Sequence, residues 1–160
     1  MTIAVGDKLP EATLVEMTAD GPSPRTTEEI FAGRKVALFS VPGAFTPTCS
    51  AKHLPGFIAQ ADAIKAKGVD EIVCIAVNDA FVMGAWGKSQ DAAGKVSMLA
   101  DGNGDFSTAL GLEMDGRAYG MGVRGQRFSM IVEDGVVSAL NVEGPGEFKV
   151  SSADHMMTQL

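Results

Sequence analysis

Cysteine and histidine are the side chains best suited to nucleophilic or redox chemistry, and this chain has two of each: Cys49 and Cys74, His53 and His155. Cys49 closes the segment Val41-Pro42-Gly43-Ala44-Phe45-Thr46-Pro47-Thr48-Cys49-Ser50. A cysteine reacts as its thiolate, and the unpaired amides and positive dipole end of a helix's first turn favour that ion. Thr46 stands three residues earlier, one helical turn, so its hydroxyl is expected to reach back toward the sulfur or a substrate oxygen. Pro42 and Pro47 fix backbone angles and shield the loop from solvent. The same residues also describe an unreactive alternative, a proline-rich strand exit with a threonine cap and a small buried cysteine. Spacing alone leaves both readings open. His53 lies four residues after Cys49 and shares its helix face, which raises a Cys-His nucleophile pair of the hydrolase kind, although no Asn or Asp is evident to orient the imidazole. Cys74 sits inside an apolar run and reads first as a packed core thiol.

The surrounding elements must place this segment at a sheet edge. Lys35 to Val41 and Glu71 to Val77 are short apolar runs ended by Pro42-Gly43 and Asn78-Asp79. Runs without alternation predict strands covered on both faces, as in a parallel sheet. Between them, Ser50 to Lys67 carries Leu54, Phe57, Ile58, Ala61 and Ile64 at helical spacing, with Gly68 as the C-terminal cap and a kink expected at Pro55. A second helix is predicted from Ala80 to about Ala92, capped by Asp79, then a strand at Val96 to Leu99. Arg127 to Val132 and Val136 to Val142 flank Glu133-Asp134-Gly135, a hairpin signal, and Ser151 or Ser152 would cap a last short helix. Parallel strands with crossover helices, then a hairpin, then a helix predict an α/β domain of thioredoxin-like type: three layers, a mixed central sheet and flanking helices. Cys49 would then stand at the carboxyl edge of that sheet, where open α/β folds build their sites.

Composition narrows the function. The 160 residues fit a single domain, residues 1–160, and a net charge of −7 disfavours nucleic acid and anionic membrane surfaces as partners. No apolar run approaches the roughly 18 residues of a membrane span, and Met1 to Pro10 is too polar for a signal peptide, which predicts a cytoplasmic protein. Two cysteines outside any C-x-x-C motif argue against a disulfide scaffold, a cysteine zinc site and a dithiol reductase. Gly120, Gly122 and Gly125 satisfy G-x-G-x-x-G, but they lead into a strand instead of opening a helix. Asp101, Asn103 and Asp105 start like a calcium loop, yet its sixth and twelfth positions hold Phe106 and Leu112, so a turn capping a helix near Phe106 is the better account.

Pro42 to Cys49 matches the pattern P-x-x-x-T-x-x-C of the peroxiredoxins, and Val41 to Phe57, VPGAFTPTCSAKHLPGF, resembles the type II, atypical, peroxiredoxin-five-like branch of this redoxin superfamily. The resemblance continues in Val5 to Pro10, in Val77 to Met83 with Trp86, and in Arg127 to Met130. It implies a thiol peroxidase with a thioredoxin-like fold. Cys49 would be the peroxidatic cysteine, oxidised to a sulfenic acid by hydrogen peroxide or an alkyl hydroperoxide. Thr46 and Pro42 would be its loop partners, and Arg127 the distant arginine over the thiolate. It implies no metal, haem or flavin cofactor, and a reductant from outside the chain, glutathione with glutaredoxin ahead of thioredoxin. A homodimer across the edge bearing Phe45, Phe81 and Trp86 is also implied. Atypical two-cysteine members resolve the sulfenic acid with a cysteine near the C-terminus, but Val136 to Leu160 contains none, which leaves Cys74 either a resolving or a structural thiol. A redox-sensing module using Cys49 without turnover is the alternative from a different class.

Overall fold

The computed structural model describes residues 1–160. Strands β3 (Lys35–Ser40) and β4 (Glu71–Ala76) form on the two apolar runs and pair in parallel, Leu38 opposite Val73. Their side chains alternate between two cores: Ala37, Phe39, Ile72 and Cys74 enter one, Val36, Leu38, Val73 and Ile75 the other. Neither face meets water, which is why the runs carry no polar alternation. Strand β5 (Ser97–Ala100) continues the parallel pairing beside β4. On the other side, β8 (Phe128–Glu133) runs antiparallel to β3 and turns into β9 (Val136–Val142). Asp134 and Gly135 at that turn take positive φ angles of 49° and 76°, as a two-residue type I′ connection requires.

The N-terminal hairpin, β1 (Thr13–Thr18) and β2 (Gly21–Thr26), was not legible in the apolar pattern. It completes a seven-stranded mixed sheet in the order β2-β1-β5-β4-β3-β8-β9. Pro22 and Pro24 look like strand breakers, but β2 is the outermost strand, where proline is tolerated and blunts the edge against further pairing. Helix α1 (Thr27–Phe31) follows, with the Thr26 hydroxyl accepting from the Glu29 amide.

The segment after Cys49 departs from the single kinked helix expected over Ser50 to Lys67. It consists of a π turn, Cys49–His53, then α2 (Leu54–Ala59) and α3 (Ala61–Ala66), which break at Gln60. Pro55 has no N–H to return to the preceding turn. The chain widens instead: the Leu54 amide reaches the Cys49 carbonyl, and Pro55 falls in the first turn of α2. The Ser50 carbonyl accepts from Gln90 Nε2 at 3.1 Å, which ties the π turn to the far end of α4 (Ala80–Ser89). Helix α4 is capped by Asp79, whose Oδ1 accepts from the Val82 amide, and stops three residues short of Ala92. A fully buried stack of Phe39 and Phe57, centroids 4.1 Å apart, packs α2 onto the sheet.

Asp101 caps α5 (Asp105–Ala109), taking the amides of Phe106 and Ser107, so the calcium-like spelling is a helix cap. A small ribbon of β6 (Glu113–Asp115) and β7 (Val123–Gly125) absorbs the glycine-rich stretch, which runs toward β8 and opens no helix. Helix α6 (Ala153–Met157) starts at Ser152, whose hydroxyl accepts from the His155 amide. No helix is long and apolar enough to cross a membrane.

Candidate active site

Cys49 enters the π turn directly after the loop that leaves β3, and its side chain is fully buried. The Ala44 amide donates to Asn78 Oδ1 at 2.9 Å, pinning this loop to the end of β4. Gly43 is held at close quarters, since a Cβ there would stand 3.2 Å from Thr46 Cγ2 and 3.3 Å from Arg124 Nη1. Phe45 takes a positive φ of 64°, a strained conformation for a bulky residue that turns its ring outward.

Thr46 does not meet the sulfur as its spacing suggested. Its hydroxyl donates to the Gly43 carbonyl at 2.7 Å, while its own carbonyl accepts from the Ser50 amide and starts the helix. Its one proton is thus committed and its remaining lone pair can only accept. Pro42 and Thr48 line a cleft of ≈ 370 Å³ together with Gln126, Arg127, Glu143 and Glu147.

The donor that reaches Cys49 comes from the other side of the chain. Arg127, immediately before β8, gives Nη2–H to Cys49 Sγ at 3.0 Å. Register explains the meeting: Ser40, the last residue of β3, pairs with Phe128, so the residue before β8 lies beside the loop leaving β3. The guanidinium fork is shared, with Nη1 2.8 Å from His53 Nδ1. His53 Nε2 lies 2.9 Å from the Ser151 carbonyl, which can only accept, so Nε2 carries the proton and Nδ1 offers its lone pair to Arg127. Burial first, and the neighbouring Arg127 charge second, hold the His53 pKa down to about 3, so the imidazole is neutral. Neither ring nitrogen turns to the sulfur, which removes the geometry that a Cys-His hydrolase pair would need. Phe148 covers the cluster, its centroid 5.9 Å from Arg127 Cζ and 5.0 Å from the His53 ring.

Cys74 lies fully buried in the middle of β4, opposite Phe39 and Met98. Burial pushes its thiol well above the ordinary value, and proximity to Cys49 adds to the rise against the opposing charge of Arg127. Both cysteines are free. Trp86 is also fully buried and corrects the picture of an exposed aromatic edge: its Nε1 donates to Ser50 Oγ at 3.0 Å, while Phe45 and Phe81 remain exposed. Spacing singled out Cys49, Thr46, Pro42 and, as a hydrolase partner, His53, and missed two supporting residues. Asn78 read only as a strand end, and Glu143 carried no signal because three of its four donors are backbone amides.

The chain matches the family model described as Redoxin over residues 4–157. It is 50% identical to Peroxiredoxin-2B of Arabidopsis thaliana over 159 residues, covering 99% of this chain and 98% of that one. Its fold is similar to the crystal structure of reduced Prx3 in complex with hydrogen peroxide from Vibrio vulnificus, with a TM-score of 0.95, 54% identity and 99% of each chain covered. Peroxiredoxin 5 from Alvinella pompejana matches with a TM-score of 0.85 and 36% identity over 98% of this chain and 96% of that one.

Proposed function

Because this chain belongs to the Redoxin family, as a thiol peroxidase of its type II peroxiredoxin branch, we propose that Cys49 is the residue attacked by peroxide and that Arg127, Thr46 and Pro42 complete its site. The observation that carries this reading is the Arg127 guanidinium donating to the buried Cys49 sulfur beside an open cleft. A permanently cationic donor favours the thiolate over the thiol, and the thiolate is the nucleophile. The sulfur attacks the terminal peroxide oxygen: the S–O bond forms, the O–O bond breaks, and water or an alcohol leaves after taking a proton from solvent. Cys49 is oxidised by two electrons to the sulfenic acid. The free lone pair of Thr46 accepts from the peroxide O–H, Pro42 keeps bulk water from the loop, and Arg127 meets charge developing on the leaving oxygen.

The substrates are hydrogen peroxide and alkyl hydroperoxides, which fit a cleft of ≈ 370 Å³. The reductant is a thiol from outside the chain. Cys74 is held on a central strand paired on both sides, so glutathione attacks the sulfenic acid, releasing water and leaving a mixed disulfide that glutaredoxin reduces. Thioredoxin is the second candidate. Such recycling suits a reducing compartment such as the cytoplasm. Exposed Phe45 and Phe81, 55% and 67% accessible, supply the apolar contact of a homodimer. Intact mass after one equivalent of hydrogen peroxide, with and without glutathione, tests the scheme. One added oxygen, replaced by one glutathione adduct and both mapped to Cys49, is expected. Oxidation mapped elsewhere, or an immediate loss of two hydrogens through a Cys49–Cys74 bond, would overturn it.

A further inference from the structure

Arg127 takes part in none of the ion pairs of the structure. Its guanidinium is instead oriented by the neutral imidazole of His53. The difference matters, because a carboxylate at that place would fix the fork equally well but would cancel the charge that Cys49 receives.

His53 is itself anchored. The Glu143 carboxylate takes four hydrogen bonds on Oε2, from the amides of Lys149, Val150 and Ser151 at 2.8, 2.9 and 2.8 Å and from the Ser151 hydroxyl at 2.7 Å. These bonds curl the segment after β9 so that the Ser151 carbonyl points at His53 Nε2. The Glu143 amide donates to the Arg127 carbonyl at 3.0 Å, which closes the circuit on the residue that it positions.

We propose that His53 and Glu143 are positioning residues of the peroxidase reaction: a closed ring through Arg127, His53, Ser151 and Glu143 aims the guanidinium at Cys49 and leaves its charge unneutralised. This rests on the reading of Cys49 and Arg127 given above.

Two amide substitutions separate the halves of the imidazole. His53→Asn places an oxygen acceptor where Nδ1 stands and gives up the Ser151 bond, whereas His53→Gln keeps an N–H donor near Nε2 and gives up the acceptor for Arg127. The measurement is the second-order rate constant for oxidation of Cys49 by hydrogen peroxide as a function of pH. The Asn variant, which keeps the acceptor but opens the ring at Ser151, is expected to fall about threefold; the Gln variant, which frees the guanidinium itself, is expected to fall about tenfold or more, with its pH–rate profile displaced to higher pH. Glu143→Gln, which keeps an oxygen but weakens the hold on Ser151, should lose no more than the Asn variant, with the profile displaced the same way. Equal losses in both His53 variants would reduce His53 to packing, and an unchanged profile in Glu143→Gln would remove Glu143 from the ring. If the variants fail to fold, nitrogen NMR of the wild-type imidazole decides: a proton on Nε2 and a lone pair on Nδ1 are expected near neutral pH, and an imidazolium or the opposite tautomer overturns the proposal. Failure of wild-type Cys49 to react with peroxide would sink the reading of the site itself, whereas normal wild-type kinetics with unaffected variants would sink only the ring.

Discussion

In the proposed reaction a single atom at Cys49 separates a nucleophile from an inert side chain. Serine is nearly isosteric and fits the same buried place, but its oxygen does not ionise there. Cys49→Ser should therefore keep its fold, by circular dichroism and denaturant midpoint, and lose peroxidase turnover to below about 1% of wild type. Activity clearly above that level would move the chemistry to another residue. Arg127 is a stricter test, because lysine conserves its charge. Its fork gives one N–H to Cys49 and a second to His53, a division that a single ammonium on a flexible stem cannot reproduce. Arg127→Lys should slow oxidation by hydrogen peroxide by tens of fold, an effect of about 2 kcal/mol. Stopped-flow rates equal to wild type would show that charge alone suffices.

Among the elements, the edge of the sheet remote from the site is held by ions as well as by packing. Arg25 of β2 grips Glu71 of β4 with both nitrogens, at 2.8 and 3.0 Å, Arg34 adds a contact at 2.9 Å, and Ser97 of β5 donates to the same carboxylate. Burial alone would raise the Glu71 carboxyl, but the hydrogen bonds of Arg25 and Ser97, then the charge of Arg25 and the hydrogen bond of Arg34, pull it to about 2 from an ordinary 4.5. A carboxyl depressed on folding contributes its stability above the unfolded value and loses it as pH falls through the folded one. The Glu71 contribution, on the order of 3 kcal/mol, should be complete above pH 4.5 and fade toward pH 2. Urea midpoints of wild type and Glu71→Gln should thus differ near neutral pH and converge at the acid end. A gap that stays constant across that window would assign the loss to packing instead of charge.

The assembly and its electron supply belong to the whole molecule. Phe45 and Phe81 are large, apolar and exposed while Trp86, next to Phe45, is buried, so two aromatic rings are left that nothing within the chain covers. If the proposed homodimer uses Phe81, Phe81→Glu puts a charge into its contact and should shift a dimeric wild type to monomer in sedimentation velocity; a monomeric wild type, or an unchanged coefficient in the variant, would overturn that part of the proposal. Cys74 tests the route of reduction. A thiol on a central strand reaches Cys49 only if the Cα atoms come within about 7 Å, and both backbones are held, one by sheet pairing on either side and the other by the Ser50 contacts to α4. Cys74→Ser should retain at least about half of the turnover with glutathione and glutaredoxin. Collapse of turnover, together with an oxidised wild-type chain about 2 Da lighter than the reduced one, the mass of the two hydrogen atoms lost on forming a disulfide, would make Cys74 the resolving thiol.

The sequence by itself determined the strands β3, β4, β8 and β9, the turn between the last two, the helix cap at Asp79, a last cap at Ser151 or Ser152, and the placing of Cys49 at the exit of a buried strand. Each follows from local signals: apolar runs, a turn dipeptide, a side chain three residues from the amide that it caps. The N-terminal hairpin was hidden because an edge strand tolerates the prolines that elsewhere forbid one. The π turn follows from Pro55, but its width depends on whether the freed carbonyl finds a partner, and Gln90 supplies one from another helix. Only the tertiary structure decided what surrounds the sulfur. Cys49, His53, Arg127, Glu143 and Ser151 come from segments up to 102 residues apart, brought together by the register of β3 on β8 and by a carboxylate that gathers mostly backbone amides. Backbone amides are common to every residue, so no pattern of side chains along the chain could have announced that contact.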